Sequence, residues 1–136
     1  MASNGASISA EDYLERIHGL IEEKGYARPV DIARALNISQ PAVTSMVQKL
    51  AGQGLLNYEK YRGLTLTEKG RQVAVAIEER HEALRRFLSL IGVSAAAQEQ
   101  DIEGMEHHLS GETIEALSRL SDLLERSPSL LKKLRA

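Results

Sequence analysis

A chain of 136 residues, 43% of them hydrophobic, has enough material for one or two small domains with a packed core. The absence of cysteine excludes disulfides and thiolate-ligated metal sites and is typical of a cytoplasmic protein. No apolar run approaches the roughly 18 residues that a membrane span requires, and no secretory signal is present. We therefore expect a cytoplasmic protein that does not contact a membrane.

The net charge of −2 conceals an uneven distribution of charge. From Arg28 to Arg71 there are seven basic and three acidic residues, so this segment carries +4 and the remainder −6. A positive segment on an acidic body favours binding to a phosphate backbone.

Two helices are predicted ahead of residue 37. Ser9 is a favourable N-cap, and the first helix ends near Gly25. Pro29 opens a second, short helix. Four apolar residues form the stripe that this second helix is expected to bury: Val30, Ile32, Ala33 and Leu36.

A tight connection over residues 37–39 leads to a third helix that starts near Gln40. Its apolar stripe, with i, i+4, i+7 spacing, consists of Val43, Val47 and Leu50. Two short helices joined in this way form a helix-turn-helix, whose second helix presents a polar face to the DNA major groove. The residues predicted to contact DNA from this face are Gln40, Pro41, Thr44, Ser45, Gln48 and Lys49.

Residues 55–67, LLNYEKYRGLTLT, predict two short strands joined by a charged turn. The turn carries Lys60 and Arg62, which suit contact with phosphates or the minor groove. Three helices and a hairpin make a winged helix. The alternative is a three-helix domain whose polar face is only solvated, since helix-turn-helix shapes also serve protein contacts.

After the hairpin the sequence predicts helices only. Thr67 caps a long helix, and the predicted helices cover approximately residues 68–91, 94–109 and 111–125, with a short one after Pro128. We place a domain boundary near Arg71, inside the long helix. The predicted fold is mainly α, with a winged helix-turn-helix DNA-binding domain over 1–71 and a helical dimerisation and metal-binding domain over 72–136.

Two apolar stripes in the second domain predict a homodimer. The long helix carries a stripe that a small winged helix cannot cover: Leu84, Phe87, Leu88 and Ile91. A later helix offers a second stripe: Leu117, Leu120 and Leu124. Symmetric dimers bind near-palindromic sites, so the expected partner is double-stranded DNA with a near-palindromic operator.

Carboxylates and imidazoles recur on three predicted helices, at Asp12, Glu15, His81, Glu103, Glu106 and His107. The first two are three residues apart, and the last three have i, i+3, i+4 spacing, so each group shares a helix face. Oxygen and nitrogen donors without sulfur suit Mn(II) or Fe(II), and also hold Zn(II) or Co(II). Each residue taken alone is more often a solvated or capping residue. We interpret His18 as a surface residue, and His108 as either a neighbour of the ligands or a surface residue.

Six segments carry a resemblance to a known family: EDYLERI, LIEEKGYARPVDIARAL, VTSMVQKL, YEKYRGLTLTEKG, RHEALRRFLSLIGV and DIEGMEHHLS. Over nearly its whole length the chain resembles the diphtheria-toxin-repressor family of metal-dependent repressors, and most closely its manganese-sensing branch. The resemblance implies that the six carboxylates and imidazoles are metal ligands. Iron-sensing relatives have Met at the position of Asp12 and Cys at that of Glu103, so hard oxygen donors at both positions imply manganese.

The resemblance implies a manganese-responsive regulator that represses manganese-uptake genes, activated for operator binding by metal at the domain junction. Mn(II), two ions per subunit, is the expected cofactor, with Fe(II), Co(II), Cd(II) or Zn(II) as substitutes. One alternative is a winged-helix regulator with another effector and a Glu/His cluster that lies only at the surface. Another is a di-metal enzyme, since Glu78 and His81 form one Glu-x-x-His element of ferritin-like bundles. The second such element is missing, so we predict that the chain is not an enzyme.

Overall fold

The structure, a computed structural model, describes residues 9–59 and 63–135. Its elements are α1 (Ala10–Lys24), α2 (Pro29–Leu36), α3 (Gln40–Gly52), β1 (Leu56–Glu59), β2 (Gly63–Leu66), α4 (Glu68–Leu90), α5 (Ala95–Met105), α6 (Gly111–Glu125) and α7 (Pro128–Leu134). This order confirms the predicted mainly α fold with one hairpin. None of the helices in the described ranges combines the length and apolar character that crossing a bilayer requires.

The chain divides within α4 into two compact units, which we call the first unit, up to Ile77, and the second unit, from Glu78. The boundary that we predicted near Arg71 lies in the same helix. Because α4 is continuous through both positions, its backbone hydrogen bonds mark no break, and the division 1–71 and 72–136 stays a prediction.

Side-chain caps start two helices of the first unit, α1 and α3, where the sequence predicted. Ser9 Oγ accepts a hydrogen bond from the Asp12 backbone N–H at 3.2 Å, and Asp12 Oδ2 accepts from the Ser9 N–H at 3.1 Å. These two bonds form a capping box. Ser39 Oγ accepts from the Ala42 N–H at 3.3 Å, which fixes the start of α3. Each bond satisfies a donor that a helix start otherwise leaves to water.

The core of the first unit draws on α1, α2, α3 and both strands, and it contains Tyr13, Leu14, Ile17, Ile32, Val43, Val47, Leu50, Leu56 and Leu64. The predicted stripe of α3 is thereby confirmed. The predicted stripe of α2 is wrong for Val30, which is 39% exposed. At about 100° of rotation per residue, Val30 falls outside the arc that Ile32, Ala33 and Leu36 share.

The core of the second unit is formed by Leu84, Leu88 and Ile102, with Phe87, Ile91 and Leu117 among the residues packed against it. The α4 stripe is therefore covered by α5 and α6 of the same chain. The stripe therefore gives no evidence for a second subunit, because later helices of the same chain cover it. The large apolar residues left exposed in this unit are Leu120, Leu123, Leu130 and Leu134.

Polar contacts fix α5 and α6 against α4. The buried Gln98 side chain donates from Nε2 to Ser89 Oγ at 3.0 Å and to the Val93 carbonyl at 2.8 Å. On α6, Asp122 accepts from Arg86 of α4 at 2.7 Å, and Glu125 also pairs with Arg86. The hydrogen bond to Asp122, and in second place that to Glu125, raises the pKa of Arg86 above its ordinary value. These contacts hold the start of α5 and the end of α6 against α4.

Candidate functional site

The polar face of α3 lies opposite its buried stripe. Six of the residues predicted to contact DNA are exposed on this helix: Gln40, Pro41, Thr44, Ser45, Gln48 and Lys49. Side chains with amide, hydroxyl and ammonium groups can reach base edges and phosphates. The structure therefore presents the predicted set on one solvent-accessible helix, and their role in DNA binding stays a prediction.

The hairpin follows α3 and has a regular antiparallel register, from Leu56 opposite Leu66 to Glu59 opposite Gly63. The predicted DNA contacts Lys60 and Arg62 lie outside the described residues. The structure adds a third extended segment that the sequence analysis did not single out: Ala27 pairs with Leu64 in an antiparallel bridge. The signal for it was local, since Pro29 disfavours helix at the residue before it.

A buried carboxylate with two imidazoles forms the most specific arrangement in the second unit. Glu106 is 1% exposed, and its Oε2 lies 2.9 Å from Nδ1 of His81 on α4. Its Oε1 lies 3.5 Å from Nε2 of His107. The imidazole side chains are partly buried, 24% exposed for His81 and 28% for His107. Three predicted ligands, of which His81 and Glu106 are 25 residues apart in the sequence, thus meet in one cluster, which we call the Glu106 cluster.

The end of α5 explains how Glu106 reaches this position. We predicted a helix to about Leu109, and this is wrong, because α5 ends at Met105 and residues 106–108 form a turn. The Glu106 N–H still donates to the Ile102 carbonyl at 2.9 Å, which keeps the carboxylate on the buried side of the last helical turn. The chain then continues to Ser110, whose side chain caps α6.

The other predicted ligands have different surroundings. Glu103 is exposed on α5, whereas Glu106 is buried, so the two carboxylates do not share one environment as their spacing suggested. In the first unit, Asp12 and Glu15 are partly buried on α1. Asp12 Oδ2 takes part in the capping box, which gives this residue a structural role as well. Whether these three residues bind metal stays a prediction.

The chemistry of the Glu106 cluster fits a divalent cation. Burying a carboxylate without a compensating charge or hydrogen bonds costs several kcal/mol, so a buried Glu is stabilised by hydrogen-bond donors, an opposite charge or a metal ion beside it. One carboxylate and two imidazoles offer oxygen and nitrogen donors, the types that Mn(II), Fe(II) and Zn(II) accept. The donors present therefore fit the metal that the sequence predicted.

Two family models match the chain in succession. Residues 7–64 match the model described as iron dependent repressor, N-terminal DNA binding domain. Residues 67–134 match the model described as iron dependent repressor, metal binding and dimerisation domain. The exposed face of α3 falls in the first match and the Glu106 cluster in the second.

Curated relatives agree with these matches. The chain is 49% identical over 128 residues to the HTH-type transcriptional regulator MntR of Lysinibacillus sphaericus (strain C3-41), covering 94% of this chain and 92% of the relative. It is 50% identical over 127 residues to the regulator of the same name from Geobacillus kaustophilus (strain HTA426), covering 93% and 90%.

Solved structures share the fold. The metal-dependent transcriptional regulator MtsR superposes with a TM-score of 0.79 at 28% identity, over 84% of this chain and 54% of that one. The manganese regulator SloR superposes with a TM-score of 0.75 at 30% identity, over 86% and 55%. The chain thus spans about half the length of these two solved chains. By its domains and its relatives, the chain belongs to the iron-dependent repressor family and is a metal-dependent, DNA-binding transcriptional regulator rather than an enzyme.

Proposed function

We propose that this protein is a manganese-responsive repressor of manganese-uptake genes, activated by divalent metal for binding to its operator. The observation that carries the metal part is the Glu106 cluster, in which both carboxylate oxygens of a buried Glu face imidazole nitrogens. The relatives called MntR and the solved manganese regulator SloR support manganese as the ion.

The proposed ligands are the six residues that the sequence analysis named: Asp12, Glu15, His81, Glu103, Glu106 and His107. Four carboxylates and two imidazoles suffice for two Mn(II) ions per subunit, and Fe(II), Co(II), Cd(II) or Zn(II) could substitute. Solved structures of the regulator ScaR with Zn²⁺ and with Cd²⁺, 30% and 29% identical to this chain, support divalent binding of this breadth. The metal supplies positive charge that neutralises the carboxylates.

For DNA, we propose that the exposed face of α3 reads the major groove and that the hairpin contacts the backbone. The dimerisation domain of the family supports a homodimer, and a two-fold symmetric dimer would require a near-palindromic operator. Asp12 and Glu15 lie in the first unit, and the other four proposed ligands lie in the second unit. If ligands from both units bind metal, metal occupancy is linked to DNA binding. By linkage, DNA must then raise metal affinity by the factor by which metal raises DNA affinity. The cytoplasmic location stays a prediction.

The test is DNA affinity measured against titrations of Mn(II), Fe(II), Zn(II) and Ca(II), for the wild type and for His81→Ala, Glu106→Gln and His107→Ala. We expect Mn(II) to raise the affinity of the wild type, and each variant to need a much higher concentration of Mn(II). His108→Ala is the matched control, because His108 is the exposed neighbour of the cluster. Direct Mn(II) binding, followed by electron paramagnetic resonance, should weaken in the same variants.

Two outcomes would contradict the proposal. If Glu106→Gln and His107→Ala keep the Mn(II) dependence of the wild type, the Glu106 cluster is not the metal site. If no divalent ion changes DNA affinity in the wild type, the metal-responsive function itself is wrong. The His108→Ala control separates loss of a ligand from a general effect of removing a histidine.

A further inference from the structure

The segment before α2 is built into the hairpin. The Ala27 N–H donates to the Leu64 carbonyl at 3.3 Å, and the Leu64 N–H donates to the Ala27 carbonyl at 2.6 Å. Both residues are fully buried. Ala27 therefore pairs with β2 on the side away from β1, and two backbone hydrogen bonds fix the extended segment that contains it against the hairpin.

This pairing sets the direction of the neighbouring side chains. Because alternate residues of an extended segment point to opposite faces, Tyr26 and Arg28 lie on the face opposite to the buried Ala27. The guanidinium of Arg28 stacks over the Tyr26 ring, 4.8 Å from its centroid. The Arg28 backbone is extended, with φ −115° and ψ 150°, as expected before Pro29. A cation–π contact of this kind restricts an exposed arginine to few orientations.

Arg28 also lies beside the end of the hairpin at which β2 begins. A β-carbon added at Gly63, the first residue of β2, would be 3.3 Å from Cγ of Arg28. The stem of Arg28 thus passes next to the first residue of β2. No carboxylate among residues 9–59 and 63–135 forms an ion pair with Arg28, and its side chain is exposed. Its charge is directed by an aromatic ring rather than neutralised by an acid.

We propose that Arg28 is a further DNA-contacting residue, whose guanidinium binds a backbone phosphate beside the wing, and that Tyr26 is its positioning residue. The inference rests on the proposed contact between hairpin and DNA. A planar guanidinium donates two parallel hydrogen bonds to a phosphate, and stacking on an aromatic face leaves those donors free. The contact would add affinity for DNA of any sequence, since phosphates carry no base identity.

The experiment is the salt dependence of DNA affinity for the full chain at saturating Mn(II). The probes are a duplex selected in vitro with the wild-type protein and a mixed-sequence duplex of equal length. For Arg28→Ala we expect the slope of log affinity against log salt to fall by about 0.9 per bound subunit, with about a tenfold loss per subunit on both probes. Arg28→Lys should keep the slope but not the full affinity, since an ammonium cannot make the bidentate contact. Tyr26→Leu should give a smaller loss than Arg28→Ala.

The matched control is Arg119→Ala, which removes an exposed arginine from α6 and changes the net charge equally. It should leave the slope unchanged. Arg28→Gln, which keeps the length of the side chain, should reproduce the slope of Arg28→Ala, and thermal unfolding checks that both variants fold. A wild-type slope in both Arg28→Ala and Arg28→Gln would overturn the proposal. A slope change in Arg119→Ala as large as that in Arg28→Ala would also overturn it. Loss of Mn(II) dependence in the wild type refutes the proposed function instead, and the slopes on the mixed-sequence duplex still decide the role of Arg28.

Discussion

Replacing Gly63 with alanine tests the close approach between the hairpin and the segment before α2. Gly63 has φ +91°, and an added β-carbon would lie 2.5 Å from the Ala27 carbonyl oxygen. That oxygen cannot move away freely, because it accepts the Leu64 N–H at 2.6 Å. Gly25 is the matched control: it has φ +85°, and among the described residues no atom outside its own stretch of chain lies within 4 Å of an added β-carbon. The two substitutions share the backbone strain and differ in the clash.

The backbone strain costs each variant about 1–2 kcal/mol, the penalty of the left-handed region for a residue with a β-carbon. Gly63→Ala must in addition displace a backbone atom, and losing the two bridge hydrogen bonds costs about 1 kcal/mol each. We therefore expect Gly63→Ala to destabilise the protein by about 2 kcal/mol more than Gly25→Ala. In a domain of this size the difference corresponds to on the order of 10 °C in Tm.

Urea unfolding of the metal-free protein, followed by circular dichroism, gives the free energy of unfolding for both variants. DNA affinity at saturating Mn(II) gives the functional effect, and we expect a loss for Gly63→Ala that exceeds the loss for Gly25→Ala. Equal stabilities would show that Ala27 and Gly63 do not approach as closely as described, and would remove the basis for treating residues 26–28 as part of the wing.

Three other predictions concern the remainder of the chain. Ser121 is fully buried, and its Oγ has no hydrogen-bond partner among the described residues. Ser121→Ala should therefore leave the free energy of unfolding unchanged or raise it by about 1 kcal/mol. Ser94→Ala, which removes the N-cap of α5, should instead lower the free energy of unfolding by about 1 kcal/mol. The hydrogen bond from Arg71 lowers the pKa of Glu68. This carboxylate therefore stabilises the fold at pH values above its unfolded pKa, and the stabilisation is lost as the pH falls through its folded pKa. In Arg71→Ala, an NMR titration should show the pKa of Glu68 nearer to 4.5. Sedimentation at micromolar concentration should show a dimer with and without metal, and a monomer in both conditions would refute the predicted homodimer.

The order and starts of the helices could be read from the sequence because their causes are local. Ser9, Ser39 and Ser110 each accept a backbone N–H three residues ahead, and a cap of this kind needs no distant partner. The stripe of α3 was equally predictable, since a helix of fixed periodicity with one apolar face has one way to be buried. The resemblance to the family indicated which residues are candidate ligands. The spacing of these residues along the helices, taken alone, is equally compatible with solvated or capping residues.

Burial and long-range contacts were decided only by the tertiary structure. Glu103 and Glu106 have identical side chains, yet Glu103 is exposed and Glu106 is buried beside His81 of α4. The pairing of Glu106 with His81 spans 25 residues. Likewise, the apolar stripe of α4 packs against α5 and α6 of the same chain. In the first unit, Ala27 pairs with Leu64 of the hairpin. Periodicity shows which face of an element is apolar, but which other element covers that face depends on how the whole chain packs.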